Sequence, residues 1–131
     1  MLRAINSSFL ITIVNNKQFL YHITSLPEWN NAQAKGEYLP QSFAEEKFIH
    51  CSYSHQILTV ANRFYREQNG LVILVIESST INSSLVEENL EGGTELYPHL
   101  YSPLPINSVV KAVAFPCNID GSFALPEELK V

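Results

Sequence analysis

LVILVIE, residues 71–77, decides the fold. Six branched apolar residues in a row leave no polar side for water, the pattern of a central strand buried on both faces. Asn69-Gly70 just before it marks a turn. Upstream, Ile57, Leu58, Ala61, Phe64 and Tyr65 recur at the helical period, with Arg63, Arg66 and Glu67 on the solvent side, and this predicts an amphipathic helix. Downstream, VVKAVAF at 109–115 reads as a last strand.

Further out, QFLYHIT at 18–24 is rich in β-formers and lies between an Asn-Asn-Lys turn and Ser25-Leu26-Pro27, so it reads as a first strand. Period two puts Phe19, Tyr21 and Ile23 on one face and Leu20, His22 and Thr24 on the other. Ser25 followed by Glu28 resembles a capping box and Pro27 suits a first helical turn. A short helix is therefore expected, with Leu26, Trp29 and Ala32 facing inward and Gly36 ending it in the left-handed conformation. KFIHCS at 47–52 reads as a second short strand. The polar stretch 78–93 reads as a long loop around a short strand at 85–88, and TELYPHLYSPLP as irregular chain punctuated by three prolines. Strands and helices interleave without regular βαβ spacing. The expected class is thus α+β: a single domain of small mixed β-sheets with two main helices.

The chain has 131 residues, enough for one domain with its own core. With 46% hydrophobic and 16% charged residues and no repeat, it belongs with ordinary globular proteins. The run Phe9 to Val14 is too short to span a membrane, and residues 1–16 read as an N-terminal extension to a domain over 17–131. Cys51 and Cys117 lie far apart, which suggests neither a disulfide framework nor a zinc site and makes a reducing cytoplasm the default setting. A net charge of −5, with eight Lys and Arg spread singly, excludes an extended nucleic-acid surface and leaves room for one short anionic ligand.

Four histidines carry most of the chemical interest. His22 and Thr24 share a strand face, as do His50 and Ser52, with same-face neighbours about 6.6 Å apart. Against this stands the plainer reading of a half-buried histidine satisfied by a backbone carbonyl. Cys51 alternates to the face opposite His50 and reads as buried structure, and His55 as surface or capping. Glu95, in TELYPH, is a carboxylate placed to act as base or to hold a ribose hydroxyl, or else a solvated loop residue. Tyr97 and Tyr101 would line a flat pocket or simply pack, and His99 completes the set. No ligand spacing supports a metal site.

YHIT at 21–24, Trp29, KFIHCS, VANRFY at 60–65 and ELYPHLYSPL at 95–104 together resemble the mostly bacterial family known as domain of unknown function 952, over about residues 19–126. The resemblance implies a fold similar to ADP-ribosyltransferases. By comparison with their histidine-tyrosine-glutamate class, YHIT would put His22 on the adenine-side ribose of NAD. KFIHCS would put His50 where a tyrosine stacks on nicotinamide, and Glu95 would supply the acid beside the nicotinamide ribose. The site implied is Glu95 and His50 as catalytic groups, with His22, Thr24, His50, Ser52, Tyr97 and His99 binding NAD or an ADP-ribose-like ligand. Two other readings stay open. One is phosphoester chemistry by paired His-x-Thr/Ser units, His22 to Thr24 and His50 to Ser52, and the other is a non-catalytic module that binds a small ligand.

Overall fold

The computed structural model describes residues 18–130, so the extension expected over 1–16 lies outside the described residues. The elements run β1 (Phe19–Ser25), α1 (Leu26–Lys35), β2 (Glu37–Tyr38), α2 (Phe43–Glu46), β3 (Ile49–His50) and α3 (Ile57–Phe64). They continue with β4 (Leu71–Glu77), β5 (Leu85–Glu88), β6 (Tyr97–Leu100), β7 (Leu104–Pro105) and β8 (Val109–Ala114). β4 is the middle strand of an antiparallel sheet ordered β1-β4-β8, as the unbroken apolar run requires. A second antiparallel sheet is ordered β3-β6-β5, and β2 pairs with β7. The result is a small α+β domain with three helices among the described residues, α2 being a single turn beside the two expected.

Alternation along β4 divides the interior. Val72, Leu74 and Ile76 enter one core with Leu20, Trp29, Ile49, Leu100 and Leu104. Leu71 and Ile73 enter another with Ile23, Ile57, Ala61, Phe115 and Phe123. Burying each large side chain contributes about 1.5–3 kcal/mol, so this one strand anchors both halves.

Ser25 Oγ accepts the Glu28 N–H at 3.2 Å and caps α1, while Gly36 ends the helix at φ 91°, its N–H bonded to the Ala32 carbonyl. Trp29 and Ala32 are buried as expected, but Leu26 is 45% exposed. Leu26 is the first helical residue, and a helical side chain leans back towards the N-terminus, here over the entering chain. Phe64 is also exposed, at 53%: α3 ends with it, and the core takes Ile57 and Ala61, with Leu58, Val60 and Tyr65 packed against it.

The expectation of irregular chain around the three prolines fails at residues 97–100. β6 is the middle strand of the second sheet, with Pro98 inside it. The Pro98 carbonyl accepts the Cys51 N–H at 3.0 Å, but proline has no N–H to return the second bond. Regular pairing of β3 therefore stops at His50, one residue short. Beyond that point Ser52 and Tyr21 exchange two backbone hydrogen bonds of 2.8 Å, which join the first sheet to the second. No helix among the described residues is long and apolar enough to cross a membrane.

Candidate functional site

The register of the second sheet builds the site. His50 lies opposite His99, Val86 opposite His99, and Glu88 opposite Tyr97, so these side chains share one sheet face. Ile49 and Leu100 take the other face and enter the first core, with Leu85 packed against them. Between the polar face, α3 and residues 88–91 lies a cleft of about 470 Å³. His50, Ser52, Glu88, Tyr97 and His99 line it, with His22, Glu46, Arg63, Phe64 and Glu91 around them.

At its centre His99 is only 3% exposed. The Phe48 ring stacks on it at 4.1 Å and 14°, and the His50 ring meets it edge-on at 4.8 Å and 81°. Glu88 Oε2 lies 2.9 Å from His99 Nδ1 and also accepts the Tyr101 hydroxyl. Those two bonds, Tyr101 first, hold the Glu88 carboxyl below its usual range, and the same carboxylate pushes the Tyr101 phenol up. A carboxylate can only accept, so His99 carries a proton on Nδ1, and in the neutral ring the lone pair sits on Nε2. Among the described residues Nε2 has no hydrogen-bond partner, and it is not among the atoms sealed from solvent. His50 is half exposed, with Glu46 Oε2 3.9 Å from its Nε2. Burial and then the neighbouring His99 pull its pKa down.

His22 is placed differently. Its Nδ1 lies 2.5 Å from the His50 carbonyl and its Nε2 2.8 Å from the Tyr38 hydroxyl, which is 2.9 Å from Thr24 Oγ1. A carbonyl cannot donate, so Nδ1 bears the proton and Nε2 accepts from Tyr38. Tyr38 must then take its own hydrogen bond from Thr24. Burial drives the His22 pKa down to about 4, which keeps the ring neutral. The chain Thr24–Tyr38–His22 therefore ends on the backbone of His50 and holds that strand against β1.

Glu95 stands apart from the cleft lining. Its Oε2 accepts from Gln56 Nε2 at 2.8 Å and lies 3.4 Å from Nε2 of the exposed His55. The structure thus brings together His50, Ser52, Tyr97 and His99, with His22 in the wall, and sets Thr24 and Glu95 outside. Cys51 is buried with its thiol pushed up to about 12 by burial. Sequence reasoning missed Glu88 and Phe48. The signal was present as strand alternation, Phe48-x-His50 and Tyr97-x-His99-x-Tyr101, but it needed β6 to be recognised as a strand. Among the described residues no three His, Cys, Asp or Glu side chains gather as a metal would require.

Fold and site define a small α+β domain that carries an imidazole–carboxylate cleft on one sheet face. The chain belongs to the family described as protein of unknown function (DUF952), whose model matches residues 23–112. The crystal structure of protein CC0527 from Caulobacter crescentus is similar, at 31% identity and a TM-score of 0.77, over 85% of this chain and 97% of that one. The solution NMR structure of the same protein has a TM-score of 0.73 over 84% and 95%. No curated protein matches the chain.

Proposed function

We propose that the cleft binds a small nucleotide-like ligand, NAD or an ADP-ribose-like molecule, in the manner of an ADP-ribosyltransferase, and that its chemistry is transfer or hydrolysis at the nicotinamide ribose. One observation carries this reading. YHIT and KFIHCS lie side by side, joined by the Tyr21–Ser52 bridge, and both line a cleft that also contains a carboxylate, Glu88. In this reading Glu88, not Glu95, takes the place of the acid. Its Oε2 is occupied by His99 and Tyr101, and Oε1 is left for a sugar hydroxyl. The half-exposed His50 ring offers a flat face to nicotinamide, Ser52 and Tyr97 offer hydroxyls, and Arg63 is the cation within reach of a phosphate. His22 acts through the His50 backbone. Rate would come from positioning and from carboxylate stabilisation of positive charge at the anomeric carbon. The setting is a reducing cytoplasm, with both cysteines free.

Phosphoester chemistry by two imidazoles is a second reading with a specific observation behind it. The pair sharing the cleft is His50 and His99, since both nitrogens of His22 are already engaged. A titration with NAD, ADP-ribose, nicotinamide and a 2′,3′-cyclic nucleotide, followed by a turnover assay, separates these readings from a module that only binds. The main reading predicts saturable binding of NAD and ADP-ribose. It also predicts turnover that falls about 100-fold in Glu88→Gln and persists in Glu95→Gln. Silence towards every nucleotide refutes it.

A further inference from the structure

The first observation is a buried imidazole with one nitrogen unspent. His99 is 3% exposed and its Nδ1 is fixed by Glu88, yet Nε2 has no partner among the described residues and opens on the cleft. That nitrogen is not sealed from solvent, so its lone pair is free to take a hydrogen bond or a proton from a molecule in the cleft. The second observation is geometric. Phe48 covers one face of the ring at 4.1 Å and His50 meets it edge-on at 4.8 Å, so with Nδ1 held by Glu88 the ring is fixed in orientation. The third is electrostatic. Glu46, Glu88 and Glu91 line the cleft, while Arg63, the one Lys or Arg among the described residues that line it, has a nitrogen 3.9 Å from Glu91. An imidazolium formed at His99 is therefore compensated where it forms, by the carboxylate that already holds Nδ1.

We infer that His99 is a general base for an oxygen nucleophile, water or an alcohol, with Glu88 as the group that orients it. The inference rests on the nucleotide reading of the cleft and names the acceptor class for it. In the step, the O–H proton passes to His99 Nε2 and the oxygen uses the freed electron pair to bond the anomeric carbon. The glycosidic C–N bond breaks with its pair staying on the nicotinamide ring, which leaves neutral. The proton then departs from His99 to solvent past the half-exposed His50, which resets the base. Neither Glu95 nor His22 takes part, the first because it lies outside the cleft and the second because both its nitrogens are bonded within the protein.

The test has two parts on the full chain. Long-range proton–nitrogen correlation of the wild-type imidazoles is expected to show His99 with its proton on Nδ1 and a bare Nε2. A proton on Nε2 in the neutral ring overturns the inference whatever the ligand does. With NAD as substrate, in buffer with and without added methanol, hydrolysis and formation of the O-methyl glycoside are both expected to fall about 100-fold in kcat in His99→Gln. Binding of NAD without turnover to either product, or turnover indifferent to His99→Gln, overturns the base and leaves the binding reading standing. Loss of nucleotide binding in the wild-type protein instead overturns the nucleotide reading, and the acceptor class with it, whereas the correlation experiment still reports on His99 alone.

Discussion

Acidification should expose the buried histidine of β1. In the folded protein His22 stays neutral down to about pH 4, because burial in a wall of Leu20, Tyr38 and Thr24 disfavours its charged form, whereas in the unfolded chain it titrates near 6.5. The unfolded state thus binds a proton first as the pH falls. The stability this group supplies is complete above pH 6.5, drains away between 6.5 and about 4, and changes no further below that. The gap, at about 1.4 kcal/mol for each pH unit, amounts to about 3 kcal/mol. That is a large part of the 5–15 kcal/mol typical of a domain. His22→Gln is the matched control, because its amide can donate to the His50 carbonyl and accept from Tyr38 without titrating. Urea unfolding at several pH values between 7.5 and 4, followed by the fluorescence of Trp29, the single tryptophan, measures the difference. The wild-type protein should lose about 3 kcal/mol more than the variant over that window. Parallel stability curves, or a His22 resonance that titrates near 6.5, would refute the argument.

Other outcomes follow from the same packing. Leu74→Ala, at a fully buried site in the middle strand, should cost about 2–5 kcal/mol in urea. Gly121→Ala should destabilise more than Gly36→Ala in thermal melts. Both sit at positive φ, but a Cβ at 121 would come within 2.5 Å of Glu67 Cγ, whereas at 36 it meets nothing within 4 Å. Iodoacetamide on the native protein should label Cys117 and spare Cys51, whose buried thiol is pushed up to about 12, and peptide mapping reads this directly.

The parts of the fold legible in the sequence are those in which a local pattern had only one solution. LVILVIE could not face water on either side, so a middle strand followed. Ser25, Pro27 and Gly36 mark both ends of α1 by backbone chemistry alone. The part that was hidden lies where pairing overrides local preference. Pro98 reads as a breaker, yet it fits a middle strand because its carbonyl still accepts from Cys51 and only one ladder bond is forgone. With β6 hidden by Pro98, nothing in the sequence tells that Glu88, not Glu95, meets His99, because that contact depends on a β5–β6 register set by the whole sheet. Alternation predicts His50 and Ser52 on one face, and both line the cleft. His22 was legible as an inward residue, but its use as a clamp on the His50 carbonyl depends on Tyr38, 16 residues away in another sheet.

The most direct test of the cleft is a titration of the labelled protein with ADP-ribose, observed at the imidazole resonances of His22, His50, His55 and His99. The account predicts saturable shifts at His50 and His99, smaller ones at His22 through the His50 backbone, and none at His55. Shifts at His55 and the Glu95 loop with His99 silent would contradict it, as would no response at any of the four.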